Sequence, residues 1–180
     1  MLVDMLAAHS FIKVAAVTDH DSVRGCKATM DLASAYPDIL IIPGVEISTI
    51  QGDMIVLGTV ELPPKPWTPE VVADFASSID GVSIVAHPFR TYGMGERARG
   101  IKVDAIEVQN GGSSPNANSQ AKELAQSLGL PGTAGSDAHS VSELFSVNTR
   151  IEASLDVDSV LAAIKRGAVS AQMTRGSIHI

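Results

Sequence analysis

The sequence predicts an α/β fold with a mostly parallel sheet. Short apolar runs of strand type alternate with segments of helical spacing along the chain, a pattern typical of βαβ units. Three of the apolar runs also break into loop at an Asp or His, in VTDHD (Val17–Asp21), IVAHPFR (Ile84–Arg90) and AGSDAHS (Ala134–Ser140). Because α/β folds place their chemistry at the carboxyl ends of parallel strands, we expect these three stretches to converge.

Size and composition are consistent with one domain spanning residues 1–180, large enough to bury a substantial core. The chain is 45% hydrophobic but only 4% aromatic, so the core is expected to consist of Ala, Val, Ile and Leu. Such side chains suit the buried strands of α/β proteins.

Charge and cysteine content restrict the classes of partner. Thirteen basic and twenty acidic residues give a net charge of −7 without any basic run, which disfavours extended nucleic acid, although a small nucleotide could bind at a metal. The single cysteine, Cys26, excludes an internal disulfide and agrees with a reducing cytoplasm. No signal peptide or apolar stretch of membrane-spanning length is present, so we expect a soluble cytoplasmic protein without membrane partners.

Strands are predicted where runs rich in Val, Ile and Leu are bounded by turn residues. The predicted strands are Val14–Thr18, Ile39–Pro43 continuing into GVEIST, Met54–Val60, Val82–Ala86, Asp104–Val108, one reached through Gly129–Ala134, and Asn148–Ala153. The segment Gln51-Gly52-Asp53 predicts a hairpin turn. About six of the strands would be of parallel type and one would belong to the hairpin.

Helices are predicted by apolar spacing and by capping residues. The predicted helices are the N-terminal segment with Leu2, Met5 and Leu6 on one side, Ser22 to about Tyr36, a helix from Thr68 to about Ile79, Asn116–Leu128, and Val157–Lys165. Asp21 or Ser22 would cap the second helix and Thr68 the third, while Gly129 would end the fourth. Thr91–Gly100 is predicted to be a glycine-rich loop.

Five motifs together resemble the PHP family, the polymerase and histidinol phosphatase domains. They are TDHD-S-V-x-G (Thr18–Gly25), PGVEIST (Pro43–Thr49), AHP followed by Arg90, DAIEVQN (Asp104–Asn110) and GSDAHS (Gly135–Ser140). The resemblance runs from about Val14 to Gly167. It implies a metal-dependent phosphoesterase on a distorted (β/α) barrel of the seven-stranded type.

The resemblance also implies which residues form the site. The metal ligands would be His20, Glu46, His87, Asp137 and His139, holding up to three divalent ions such as Zn, Mn or Fe. Glu46 and Asp137 would be catalytic through these ions, and Arg90 could hold a phosphate as a bidentate fork or pair with an acidic neighbour.

Two departures from the family pattern matter. The family opens with a strand that carries a His-x-His pair, and this chain has no such strand, so its barrel should be incomplete. The strands beside the gap would have open edges, which the N-terminal segment or a second copy of the chain in a homo-oligomer would cover, or which would stay mobile and exposed to solvent. The other departure is Asp53, which stands where relatives carry a His and is either a ligand or a turn residue.

These observations leave two functions open. One is hydrolysis of a small phosphorylated substrate, either a phosphomonoester or a nucleotide, by a metal-activated water. The other is a catalytically inactive module that keeps a metal or phosphate site. If the natural protein is longer than this chain and carries the missing His-x-His strand, we expect the first of these functions.

Overall fold

The computed structural model describes residues 1–174. From the sequence we expect His179 to belong to a loose terminus, and this residue lies outside the described part. The described part contains five α-helices and eight strands. The helices are α1 (Leu2–Ala8), α2 (Arg24–Ala33), α3 (Pro69–Ser78), α4 (Pro115–Leu128) and α5 (Val157–Lys165). The strands are β1 (Val14–Val17), β2 (Leu40–Thr49), β3 (Gly52–Leu57), β4 (Val82–Val85), β5 (Ala105–Asn110), β6 (Gly132–Gly135), β7 (Val147–Ile151) and β8 (Val169–Met173).

Strands β1 to β6 form one curled six-stranded sheet in which neighbours in sequence are neighbours in space. The pairs β1–β2, β4–β5 and β5–β6 are parallel, whereas β3 is antiparallel to both β2 and β4. Within residues 1–174, β1 and β6 are the two edges of this half-barrel. The α/β class is therefore confirmed, and within the described residues the sheet is an open half-barrel of six strands and not a closed ring of seven.

The hairpin between β2 and β3 differs from its prediction by one residue. Thr49 pairs with Gly52, so the turn is Ile50-Gln51 and not Gln51-Gly52-Asp53. Gly52 has a φ of 141°, and a Cβ there would come within 2.5 Å of the Met94 backbone nitrogen. Asp53 consequently lies inside β3, opposite Ser48, and the interpretation of Asp53 as a turn residue is wrong.

Other boundaries also differ from the sequence expectations. Helix α2 has Val23 as its N-cap without a side-chain cap, so the prediction of Asp21 or Ser22 at that position is wrong. The Asp21 carboxylate instead accepts a hydrogen bond from the Ser48 backbone N–H at 2.9 Å. Part of the predicted loop after Arg90 is a 3-10 helix, Gly95–Gly100.

The C-terminal strands form a separate two-stranded antiparallel sheet, β7–β8. Strand β8 was not predicted, because its VSAQM sequence is short and mixed in polarity. The Thr149 hydroxyl of β7 donates to the Ala134 carbonyl at 2.9 Å and accepts from the Ala134 N–H at 2.8 Å. One side chain thereby satisfies backbone groups at the outer edge of β6.

The core consists of aliphatic side chains, as the composition predicts. The largest cluster packs α3 and α4 on the sheet, with Val45, Met54, Val72, Val85 and Leu124 all buried. Helix α5 forms a second cluster on the central strands. Burial of each such side chain stabilises the fold by about 1.5–3 kcal/mol, so these clusters hold the strand ends in place.

The β1 side of the half-barrel is covered in part by the N-terminal helix. Val3 and Leu6 of α1 are buried in a cluster with residues of α2 and β2, and Val17 and Phe145 pack against it. Phe145 comes from the segment between β6 and β7, and its ring also lies 5.0 Å from that of His9. No helix within residues 1–174 is both long and apolar enough to cross a membrane.

Candidate metal centre

The predicted ligands lie at one edge of the half-barrel because of where the strands end. His20 follows β1, Glu46 lies in the second half of β2, and His87 follows β4. Asp53 lies at the start of β3, and β3 runs opposite to its neighbours, so its amino end meets their carboxyl ends. Asp137 follows β6.

Glu46, Asp53 and His87 form the tightest group of candidate ligands. Nε2 of His87 lies 2.9 Å from Oε1 of Glu46 and 4.0 Å from Oδ2 of Asp53. One ligand atom from each of the three residues lies within 4.8 Å of the other two. The Glu46 and His87 side chains are 8% and 9% exposed and that of Asp53 is 24% exposed, so the group is shielded from solvent but open on the Asp53 side.

Electrostatics at this group favour a bound cation. Burial, and secondly the charge of Glu46, raise the pKa of Asp53 despite the opposing effects of His87, His20 and Ser48. Burial lowers the pKa of His87, but the hydrogen bond that its Nε2 donates to Glu46 and the nearby carboxylate charges outweigh burial and leave this pKa raised. Two carboxylates thus share a low-dielectric site with one imidazole, and a divalent cation would offset their repulsion. The donor set fits such an ion.

His20 lies beside this group and is more exposed. Its Nε2 is 3.6 Å from Oε2 of Glu46, and its side chain is 47% exposed. Its Nδ1 is 3.4 Å from the Ser48 hydroxyl. Glu46 therefore directs one carboxylate oxygen to His87 and the other towards His20.

Asp137 gathers a second group of predicted site residues. Its Oδ2 accepts hydrogen bonds from Nη1 of Arg90 and, at 3.3 Å, from Nδ2 of Asn110. Nδ1 of His139 lies 3.7 Å from Oδ1 of Asp137 and 2.9 Å from its carbonyl oxygen. The structure thus places Arg90 on an acidic neighbour, one of the two interpretations left open, while its role towards phosphate stays a prediction.

Two residues of this region were not singled out from the sequence. Glu107 is 4% exposed and Asn110 is 1% exposed, and both lie in β5. Burial raises the pKa of Glu107 to about 7, although hydrogen bonds from His87 and Asn110 oppose the shift. The available signal was a carboxylate inside the apolar run DAIEV, where a charge is costly unless it is bonded.

Comparison with known families and proteins agrees with the motifs. Residues 115–169 match the family model described as PHP-associated. The chain is 32% identical over 101 residues to an uncharacterized protein of Methanocaldococcus jannaschii, a match covering 55% of this chain and 58% of that protein. The chain therefore spans somewhat over half the length of the curated relative that it matches.

Solved structures share the fold at low sequence identity. PsfC from Pseudomonas syringae PB-5123 aligns with a TM-score of 0.75 and 20% identity, covering 96% of this chain and 81% of PsfC. A two-domain protein from Bacteroides vulgatus, named as containing a predicted PHP-like metal-dependent phosphoesterase, aligns with a TM-score of 0.73 and 16% identity, over 96% of this chain and 59% of that one. A candidate metal-dependent phosphoesterase from Bifidobacterium adolescentis aligns with a TM-score of 0.64 and 15% identity, over 92% and 90%. The family match and this shared fold confirm the resemblance to the PHP family.

Proposed function

We propose that this chain, as a protein of PHP type, hydrolyses a small phosphorylated substrate with a divalent cation held by Glu46, Asp53 and His87. The observation that carries the proposal is the mutual approach of three ligand atoms to within 4.8 Å at the catalytic edge of the half-barrel. When bound there, the cation would lower the pKa of its water and neutralise phosphoryl oxygens.

The choice of ion follows from the ligand types. Glu46 and Asp53 offer hard carboxylate oxygens, and His87 offers one imidazole nitrogen. Compared with an all-histidine site, this set shifts preference towards Mn²⁺ or Mg²⁺, although Zn²⁺ and Fe²⁺ also bind imidazole and carboxylate. Glu46 would hold the ion on the His87 side and reach towards His20 with its second oxygen.

Arg90 and Asp137 would serve the phosphate side of the site. Arg90 is 38% exposed and directs Nη1 to Asp137, so its remaining N–H groups are available for a phosphate oxygen. Asp137 is 11% exposed, and the guanidinium compensates its charge and fixes its position. His139, 69% exposed on the rim, would join Asp137 in holding a further ion.

The substrate is proposed to be small because the sequence contains no basic run that would bind an extended polyanion. Its net charge is −7, so long-range attraction of nucleic acid is not expected. A phosphomonoester or a nucleotide needs only one ion and one arginine fork.

The second candidate function is a metal-binding module without turnover. It is favoured by the exposure of His20 and His139, 47% and 69%, because each has a carboxylate beside it, Glu46 or Asp137, but lies outside the shielded group. A single well-held ion would then persist without the other ions that clamp the attacking and leaving oxygens.

Metal analysis combined with a phosphatase screen separates the two functions. The purified chain is loaded with Mn²⁺, Zn²⁺ or Fe²⁺ and assayed against a panel of phosphomonoesters and nucleotides, beside Glu46→Gln and the surface control Asp74→Asn. Turnover that is lost in Glu46→Gln but kept in Asp74→Asn supports the phosphoesterase. Metal bound without turnover supports the module, and a chain that binds no divalent ion refutes both.

A further inference from the structure

We propose that Glu107 is a positioning residue: it fixes the backbone at His87, and it is connected through Asn110 to the side chain of Asp137. The inference rests on the proposed metal site, since it assigns a support for two of its ligands. Glu107 is buried, and its Oε2 accepts hydrogen bonds from the His87 backbone N–H and from Nδ2 of Asn110.

The contact with His87 is made to the backbone. The His87 N–H donates to Oε2 of Glu107 at 2.8 Å, which is within the range of charge-assisted hydrogen bonds. His87 has a φ of 26°, a conformation that costs about 1–3 kcal/mol for a non-glycine residue and persists only when the surroundings hold it. The hydrogen bond to Glu107 stabilises this conformation at His87 itself.

Asn110 extends this hold to the second group of ligands. Its Nδ2 donates to Oε2 of Glu107 at 3.1 Å and to Oδ2 of Asp137 at 3.3 Å. Asp137 is also at positive φ, 50°. One amide group thus connects two carboxylates, and the pair of strained turns that present His87 and Asp137 shares a single network.

The network is rigid because Asn110 is fixed at both ends. Its backbone N–H donates to Oδ1 of Asn118 at 3.0 Å, and Nδ2 of Asn118 donates back to the Asn110 carbonyl at 3.1 Å. Its own Oδ1 accepts from the Gly112 N–H at 2.9 Å and from the Ser113 hydroxyl at 3.1 Å. An amide with this many hydrogen-bond partners has one orientation. The side chain of Asn110 therefore fixes the Asp137 carboxylate relative to that of Glu107.

An irregularity in β5 puts Glu107 and Asn110 on the same side of the sheet. Residues three apart on a regular strand point to opposite faces. The register between β5 and β6 shifts between Glu107 and Gln109, so Val108 is an extra residue and the alternation is reset. Bulges of this kind re-aim side chains beside active sites.

Gly135 leaves the space that Glu107 occupies. A Cβ at Gly135 would lie 2.5 Å from Oε1 of Glu107, so any larger residue there must displace the carboxylate. Gly135→Ala therefore disturbs the network without altering Glu107.

The chain supplies its own control at the other end of the same two strands. Oδ2 of Asp104, just before β5, accepts from the Ser83 N–H in β4 at 2.8 Å. This is the same kind of bond, from a carboxylate near β5 to a backbone N–H near β4, and it lies away from the catalytic edge. A purely structural carboxylate should behave like Asp104.

The test compares Glu107→Gln, Glu107→Leu, Gly135→Ala and Asp104→Leu with the unaltered chain. Three quantities are measured: hydrogen exchange of the His87 amide by NMR in the presence of a chelator, Mn²⁺ affinity by calorimetry, and the unfolding temperature. Glu107→Gln keeps an acceptor and should resemble the unaltered chain in the first two. Glu107→Leu and Gly135→Ala should speed His87 exchange and weaken Mn²⁺ binding by about 10–100-fold. Asp104→Leu should lower the unfolding temperature while Mn²⁺ affinity stays within about twofold.

The outcomes separate this inference from the proposed function. If the chain binds none of Mn²⁺, Zn²⁺ and Fe²⁺, the proposed function fails, and His87 exchange alone then decides whether Glu107 positions this residue. If the chain binds Mn²⁺ and both Glu107→Leu and Gly135→Ala bind it equally well, the inference is overturned. Should Glu107→Leu fail to fold, Gly135→Ala decides in the same way.

Discussion

Asp53 is the residue whose role can be tested most sharply, because three substitutions have three different expected results. We expect Asp53→Ala to weaken Mn²⁺ binding at least about tenfold, equivalent to ~1.4 kcal/mol, since one of three donors is removed. Asp53→His should still bind and should lean towards Zn²⁺, because a nitrogen replaces a hard oxygen. The Mn²⁺ affinity of Asp53→Asn should lie between those of Asp53→Ala and Asp53→His, since the amide keeps one oxygen donor but lacks the negative charge of the carboxylate.

Calorimetric titration with Mn²⁺ and Zn²⁺ provides the measurement, and Asp74→Ala serves as the control because it removes an exposed carboxylate from α3. Unchanged Mn²⁺ affinity in Asp53→Ala would leave Glu46 and His87 as the only pair at this position. A lower unfolding temperature with unchanged affinity would mean that Asp53 serves β3 and not the metal.

The buried Glu107 predicts a pH dependence of stability. Burial raises its pKa from 4.5 to about 7, so between these values the folded chain binds more protons than the unfolded chain. Stability therefore falls as pH rises through this window, by on the order of 3 kcal/mol for this group. The raised pKa of His87 acts in the same direction: its contribution is present below 6.5 and is lost as pH rises through the folded-state value.

Urea unfolding with a chelator from about pH 4.5 to 8 tests this, with the free energy of unfolding compared between the chain and Glu107→Gln. The substitution removes the titrating group, so the difference between the two proteins should change across the window. Asp4, Asp38, Glu143 and Asp156 have lowered pKa values, and their opposite effect lies at lower pH and cancels in the difference. A difference that is constant with pH would refute the buried ionisable role of Glu107.

Among the elements, β6 depends on a side chain from outside its own sheet. The Thr149 hydroxyl both donates to and accepts from the backbone of Ala134. We expect Thr149→Val, which preserves shape, to lower the free energy of unfolding by about 1–3 kcal/mol, because a backbone donor and an acceptor lose their partner.

Urea denaturation measures the effect of Thr149→Val, and Thr29→Val is the control because its hydroxyl only adds a bond to the Gly25 carbonyl within α2. Equal losses in the two variants would contradict a special role at the β6 edge. Since β6 leads into Asp137, Thr149→Val should also weaken metal binding by the group of ligands around Asp137.

The elements that sequence analysis predicted best are those with local signals. Thr68 accepts from the Val71 N–H at the start of α3, and Gly129 ends α4 at a φ of 66°, both as predicted. Helix α5 has the predicted bounds. In contrast, the bulge at Val108 and the turn at Ile50-Gln51 depend on which strands pair, and no local pattern encodes that.

The candidate site shows the same division. The approach of Glu46 and His87 followed from motif order, because both lie towards the carboxyl ends of strands that run in the same direction on either side of β3. The pairing of Arg90 with Asp137 joins residues far apart in sequence. Glu107 could not be recognised from the sequence, because a single carboxylate in an apolar strand is expected to face solvent. Only the structure shows that both faces of β5 are buried at this position.

At the scale of the whole molecule, the open edge at β1 predicts association. Among residues 1–174, β1 pairs only with β2, and α1 packs on the adjacent cluster without adding a strand. Unpaired strand edges recruit other strands. We expect the chain to form a concentration-dependent dimer, and Ala16→Lys, on the exposed position of β1, to weaken it.

Size-exclusion chromatography with light scattering measures this association. The control is Asp31→Lys, because it changes the charge of an exposed residue on α2. A strict monomer at all concentrations would show that α1 and Phe145 suffice to cover the edge. Dissociation by Asp31→Lys but not by Ala16→Lys would place the interface on α2.

The central claim is that Glu46, Asp53 and His87 hold one divalent cation at the carboxyl edge of the half-barrel. Anomalous diffraction from a crystal soaked in Mn²⁺ tests it most directly. The account predicts an anomalous peak within about 2.0–2.5 Å of a carboxylate oxygen of Glu46, a carboxylate oxygen of Asp53 and Nε2 of His87. A crystal whose anomalous peaks all lie elsewhere, with Nε2 of His87 still bonded to Glu46, would contradict the account.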